Sequence, residues 1–261
     1  MMRRALLLLV CAGTVHAGDW RDTLTPPIPG DFGPLRPLKV DYTFGWSAFT
    51  AGEAHAEFSS TKAGLLQLRV RGGSIGAVRA LWRLDADSTS LVQASNLQPM
   101  SVVQRETYSD EARKTTVTFS PEGVARTRER KPKEKDPGKI KRFKFTPVFD
   151  LQSALLFVRS QPLKVGDVVR FVSYPTTQPY FTEVEVVGQD TITEAGKQYP
   201  AIKCTLRLQG VKKDMTLEPH KKFKRAFVWL SDDSDRLLLK IESELSVGKV
   251  WMDLARVEFG R

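Results

Sequence analysis

The amino-acid sequence predicts an all-β protein: a long antiparallel meander curled into a barrel-like or spiral sheet, with one central helix at about residues 150–160. Three observations predict it. Apolar and polar residues alternate with a period of two through most of the chain, the pattern of strands with one buried and one wetted face. Short clusters of Gly, Asp, Ser and Pro separate these runs at close intervals, which favours hairpins over crossover helices. A single segment repeats its apolar residues at helical spacing instead.

Taken in order, residues 1–17 have the three parts of a cleavable secretory leader: Arg3 and Arg4, the apolar run from Ala5 to Val10, and Val15-His16-Ala17 before a cut at Gly18. The run is far shorter than the roughly 20 residues of a membrane span. Cys11 follows the bulky Val10, where a lipid-attachment cysteine has a small neighbour, so lipid attachment is not expected. Export to the periplasm by the general secretory route is expected. Residues 18–37 carry Pro26, Pro27, Pro29, Pro34 and Pro37, which fix φ and lack amide donors. They predict an extended, irregular leader ahead of a single β-rich domain over residues 38–261.

Within that domain Val40, Tyr42, Phe44 and Trp46 alternate with Asp41, Thr43, Gly45 and Ser47. Ala54, Ala56 and Phe58 alternate with Glu53, His55 and Glu57, and Leu66, Leu68 and Val70 with Gln67, Arg69 and Arg71. Further strands are predicted over residues 79–85, 90–95, 101–108, 114–120 and 124–130. The helix follows: Pro147 precedes it, Asp150 stands at the N-cap, Leu151, Ala154, Leu155 and Val158 repeat at i, i+3, i+4 and i+7, and Pro162 ends it. Arg159 reads as its C-terminal counter-charge. Strands resume over residues 167–174, 180–188, 198–209, 222–231, 236–243 and 247–259. A sheet of roughly fourteen strands twists too much to stay flat, so it curls or closes around the helix.

The net charge is +10, and +8 once Arg3 and Arg4 leave with the leader. The excess is local. Residues 125–146 hold ten basic residues against Glu129, Glu134 and Asp136, with Pro132, Pro137 and Gly138 predicting a mobile loop. Residues 212–225 add six basic residues against Asp214 and Glu218. In an exported protein the anionic partners of such stretches are lipid headgroups and other envelope material, and nucleic acid is excluded. The candidate contacts to an anionic surface are Arg126, Arg128, Arg130 and Lys131, continuing with Lys133, Lys139, Lys141 and Arg142. A solvated basic loop is the plainer reading of the same residues, and peripheral membrane contact is the functional one.

Cys204 is alone once Cys11 is removed, and the alternation of Ile202, Cys204, Leu206 and Leu208 places it among buried hydrophobes. No catalytic set assembles. His55 flanked by Glu53 and Glu57 reads as an ordinary polar strand face, and Ser231 to Asp235 as a turn without the glycine of a calcium loop. No metal site and no cofactor are expected.

Trp46-Ser47-Ala48-Phe49-Thr50-Ala51-Gly52-Glu53-Ala54 resembles the opening strand pair of the domain-of-unknown-function 3108 family of exported bacterial proteins. The segment Asp150 to Arg159 is similar to its central helix, Val228 to Asp233 to its late strand and turn, and Val247-Gly248-Lys249-Val250 to its closing strand. The resemblance covers about residues 40–254 and departs at Arg236 to Leu239, where a proline is often found. It implies a curved β structure broadly like periplasmic lipid and lipoprotein carriers, and it implies no activity.

The leading functional expectation is a non-catalytic binding module for an apolar or anionic envelope ligand such as a lipid. Candidate lining residues are Tyr42, Phe44, Trp46 and Trp82, together with Phe119, Phe227 and Trp229, although the same aromatics could fill a core. A structural or assembly partner of other envelope proteins is the alternative, and a hydrolase using scattered carboxylates the third reading.

Overall fold

The computed structural model describes residues 18–33, 35–61, 63–132, 138–220, 225–245 and 248–260. The expected secretory leader at residues 1–17 and Lys133 lie outside the described residues. After a 3-10 turn at Trp20–Thr23, the chain runs through β1 (Leu38–Trp46), β2 (Phe49–Ser60), β3 (Leu65–Ser74), α1 (Gly76–Leu81) and β4 (Leu84–Gln93). Then come β5 (Pro99–Tyr108), β6 (Ala112–Ser120), β7 (Gly123–Lys131), β8 (Lys141–Phe143) and α2 (Leu151–Ser160). The second half is β9 (Val168–Ser173), β10 (Tyr180–Glu194), β11 (Lys197–Val211), β12 (Leu217–Pro219), β13 (Ala226–Ser231), β14 (Leu238–Leu245) and β15 (Gly248–Phe259).

Among the described residues fifteen strands form one sheet, which is antiparallel in its strand pairs and not closed. Its order explains the shape. The first half walks outward from β1 to β8, and the second walks inward from β9 to β15, which pairs with β1 from Leu38–Phe259 to Trp46–Val250. The two free edges, β8 and β9, are therefore joined by the segment that carries α2. Accumulated twist and the bulges in the β1 pairings curl the sheet until these edges approach. Phe149 bridges to Ser173, and Val148, Val172 and Tyr174 pack with Val102, Val117 and Val124 across the gap.

The helix lies inside this curl because both of its ends are tied. Asp150 accepts hydrogen bonds from the Gln152 and Ser153 amides, and the Ser153 hydroxyl accepts from the Asp150 amide, a complete capping box. The second Asp150 oxygen accepts from the Ser90 hydroxyl of β4 at 2.7 Å. Burial raises the Asp150 pKa against the pull of these hydrogen bonds. One side of α2 meets the second half of the sheet. There Phe157 stacks on Phe149 at 4.7 Å and meets Phe171 edge-on at 6.1 Å, beside Val184, Ile202 and Cys204. Burial pushes the Cys204 thiol up to about 12.

Two expectations need correction. Residues 79–85 are not a strand: Gly76, at φ +52°, turns the chain into α1, and β4 begins only at Leu84. The Arg79 guanidinium fixes that turn by reaching the Ser74 carbonyl and the Asp85 carboxylate. The basic stretch is not a loop from residue 125, since residues up to Lys131 belong to β7 and Lys141, Arg142 and Phe143 to β8. The proline-rich leader is anchored to the fold: the Trp20 indole donates to the Met215 carbonyl, the Thr25 amide to Arg170 and the Gly30 amide to the Ser160 hydroxyl.

Candidate functional site

The other side of α2 faces the first half of the sheet, where Leu156 packs into a cluster with Leu66, Leu68 and Val92, and beside that cluster the side chains are small. Across β1 to β4 the register runs Tyr42–Ala54–Gly72–Ala86 and Val40–Ala56–Val70–Ser88. Large residues on β1 thus give way to alanine and glycine on the next strands. Leu151 and Leu155 of α2 and Leu35 of the leader roof this floor without reaching it. A cavity of about 440 Å³ remains, within the ~300–1,000 Å³ usual for small-molecule sites, and its lining is overwhelmingly apolar. The Tyr42 hydroxyl is spent on the Leu238 carbonyl at 2.9 Å, and burial holds its pKa above the ordinary value. Ser88, Gln104 and Gln152 are the further neutral polar residues of the wall, and Glu57 and Arg69 border it from neighbouring positions of β2 and β3.

Two arginines close one end. Arg159 and Arg236 line the cavity and are only 3% and 7% exposed. Arg159 donates to the carbonyls of Gly33 at 3.1 Å and Asp235 at 2.9 Å. Arg236 donates to the carbonyls of Arg159, Gln161 and Pro162, closing the C-terminal end of α2. Phe32 covers Arg236 with its ring centre 3.5 Å from the guanidinium carbon. Burial, then the neighbouring Arg236, pulls the Arg159 pKa down to about 10. At this end Leu38, Phe58, Leu68 and Leu237 are buried, whereas Phe44, Leu84 and Leu151 at other parts of the wall are half-buried or exposed. The cavity is thus shut beside the arginines and open toward Phe44 and Leu84.

The open end coincides with an apolar rim. Trp46 pairs with both Val250 and Phe49, and all three are exposed. The Ile75 amide bonds the Ala51 carbonyl, which brings α1 and its exposed Leu81 and Trp82 to the same end of the strands. Following the register outward through Leu84–Tyr108 and Ala112–Lys131, the end of β7 reaches this rim as well.

The sequence-predicted aromatics therefore separate. Tyr42 and Phe44 line the cavity. Trp46 and Trp82, 48% and 52% exposed, stand on the rim instead. Trp229 is buried away from the cavity, with its indole donating to the Asp190 carboxylate, and Phe227 packs beside it at 6.0 Å. Phe119 packs near the seam, against the cluster of Val102 and Val117. The basic residues separate too. Arg126 is buried and donates to the Thr176 and Thr177 carbonyls, Arg128 donates to the Thr115 hydroxyl, and Arg130 pairs with Glu111. Lys131, Lys139, Lys141 and Arg142 are exposed.

Sequence reasoning missed the arginine pair and the small-residue floor. Both had a trace. Leu151, Leu155 and Arg159 share one helical stripe, so a charge interrupts an apolar face, and Ala54-x-Ala56 on a buried strand face leaves room that larger residues would fill.

No curated protein matches the chain. Among solved structures, a β-barrel-like protein of the domain of unknown function DUF1849 from Brucella abortus superposes with a TM-score of 0.57 at 11% identity, over 87% of this chain and 99% of that one. A protein described as exported with a YmcC-like fold, from Bacteroides fragilis, reaches 0.38 at 8% identity, covering 88% and 99%. One described as a lipoprotein, from Parabacteroides distasonis, reaches 0.34 at 8%, with the same coverage. The first of these shares the curled, barrel-like fold. The strand pair, helix and closing strand that organise the cavity all fall within residues 40–255, which match the DUF3108 family model, and the chain belongs to that family of proteins of unknown function.

Proposed function

We propose that this chain is an exported, non-catalytic binding module of the cell envelope that holds an alkyl chain in the cavity beneath α2. The observation that carries this reading is the cavity itself: about 440 Å³ of apolar space inside a sheet whose other faces of α2 are filled. Apolar space of that size accepts apolar groups. Export rests on the leader-like residues 1–17.

The rim supports loading from a membrane surface. Trp46, Phe49, Leu81 and Trp82 present apolar area at the open end, and Lys131 stands at the same end of the sheet. Each cation near an anionic membrane contributes about 1 kcal/mol, so the basic stretch adds to the attraction while salt screens it.

Protein produced with residues 1–17 and recovered from the periplasm is extracted with solvent and examined by mass spectrometry. An alkyl lipid at close to one per chain is expected, and Ala56→Leu should remove it. Repeated preparations without lipid, together with no uptake of a fluorescent alkyl probe, would overturn the reading. Sedimentation with anionic phospholipid vesicles tests the rim separately: Phe49→Ser and moderate salt should each reduce binding, and insensitivity to both would discard membrane contact.

A further inference from the structure

We infer that Arg159 and Arg236 form an anion-binding end of the cavity, so that its ligand is a small-headed anionic amphiphile, a long-chain carboxylate, bound head first. This rests on the reading that the cavity holds an alkyl chain, and adds to it the chemistry of the head.

Two guanidinium groups lie side by side in an apolar wall without a counter-ion. Each is satisfied only by main-chain carbonyls, and among the described residues neither has a carboxylate within ion-pair distance. The nearby acids Asp232, Asp233 and Asp235 attract the two guanidinium groups without reaching them. Asp235 gives both oxygens to Arg36, at 2.8 and 2.7 Å. Asp233 accepts from the Ser231 hydroxyl and from the amides of Asp235 and Arg236, and Asp232 accepts from Gln189. The Nε of Arg159 is buried and has no partner at all. A buried charge left in this state is costly unless something pairs with it, and guanidinium donors match a carboxylate in geometry as well as charge.

Helix capping accounts for Arg236 but not for Arg159. The Arg236 donors close the last turn of α2, a sufficient structural task. Arg159 projects from the same stripe as Leu151 and Leu155, into the wall of the cavity, where a methionine or leucine would complete the apolar face. Its presence there brings a second positive charge next to the first.

The shape sets the orientation. The arginine end is the closed end, so a bulky headgroup has no room, and the tail must point toward Phe44 and the rim. From Leu38 to Phe44 the floor extends ~20 Å at the usual strand rise, the reach of an extended long acyl chain. Docked with its rim on a membrane, the protein would draw such a ligand in head first, with the tail following.

The test compares hexadecanoate, hexadecanol, methyl hexadecanoate and a hexadecanoyl lysophospholipid by displacement of an alkyl fluorophore from the intact protein. The expected result is that hexadecanoate binds at least tenfold more tightly than the other three. Arg159→Met should abolish that preference, lowering hexadecanoate affinity at least tenfold relative to hexadecanol. Equal binding of carboxylate, alcohol and ester would overturn the anion end and leave the cavity reading standing. Tighter binding of the lysophospholipid would overturn the head-first orientation, and binding of none of the four would remove the cavity reading together with this one. Should Arg159→Met fail to fold, the comparison of the four ligands on the native protein decides alone.

Discussion

Helix α2 separates two regions of unlike density. Toward β9 to β13 its Ala154, Phe157 and Val158 meet Phe171, Val184, Val186 and Ile202, and aromatic rings stack and cross with little space between them. Toward β1 to β4 its Leu156 joins the cluster of Leu66, Leu68 and Val92, but beside it Leu151 and Leu155 hang over Ala54, Ala56, Gly72 and Ala86. One helix and one continuous sheet make both regions. The hollow is therefore set by side-chain size at matched register positions, not by a different backbone architecture. Protein interiors close-pack unless something prevents it, so an alanine-floored half beside a phenylalanine-filled half is a feature that needs a reason, and a resident ligand supplies one.

The comparison can be broken most forcefully by truncating each side of the helix. Phe157→Ala removes a fully buried ring from the packed side and should cost about 3–5 kcal/mol in denaturant unfolding. Leu155→Ala, which borders the hollow as well as the packed cluster, should cost less than Phe157→Ala, about 2 kcal/mol, because on its hollow side part of the dispersion contacts that make a core leucine valuable are missing. Equal losses would mean that the two sides are packed alike.

Enlarging a residue gives a sharper test, because the sign of the effect differs between the regions. Ala154→Leu forces extra methylene groups into the packed side and should destabilise by about 1–3 kcal/mol. Ala56→Leu fills empty space, so stability in the lipid-free protein should hold or rise by up to about 1 kcal/mol, while affinity for an alkyl probe falls at least tenfold. Both variants are read by the same melting and displacement measurements. A destabilised Ala56→Leu would show that the hollow is already occupied by protein.

Much of the fold was legible in local pattern. Period-two alternation marked most strands, and the cap at Asp150 with its i, i+3, i+4 repeat marked α2 within a residue of its observed start. The cavity was not legible, because it depends on which strands lie side by side. Nothing local states that Ala54 sits between Tyr42 and Gly72, or that β1 pairs with β15. The place of the rim aromatics was not legible for a related reason. Trp46 continues the alternation of Tyr42 and Phe44, but it is the last residue of β1 and stands 48% exposed beyond the end of the cavity. Arg159 was visible as a charge near a helix C-terminus, and that reading was incomplete: its direction, into an apolar cavity, comes from the packing of α2.

The smallest expected effect is the most discriminating. Arg159→Met removes two hydrogen bonds to main-chain carbonyls, and also removes a buried charge that repels Arg236. Replacing buried charge by an apolar group of similar volume is often neutral or stabilising, so the ligand-free variant should stay within about 1 kcal/mol of the native protein at neutral pH. The pH dependence follows from the sign of the shift. The Arg159 pKa is lowered to about 10 on folding, so the penalty for holding its charge is absent at high pH and builds up as pH falls to about 10. At neutral pH the whole penalty of holding the charge is present. As pH falls toward about 10 the native protein should therefore lose stability relative to Arg159→Met, measured by parallel urea titrations, and below that pH the difference should stay constant, with added hexadecanoate reversing it by pairing the charge. On the packed side no such partner exists: the buried thiol of Cys204 stays neutral through the same range. A native protein whose stability does not diverge from that of Arg159→Met as pH rises through about 10, and which hexadecanoate does not stabilise at neutral pH, would mean that the guanidinium is already neutralised by water or protein, and that the hollow side is as self-sufficient as the packed one.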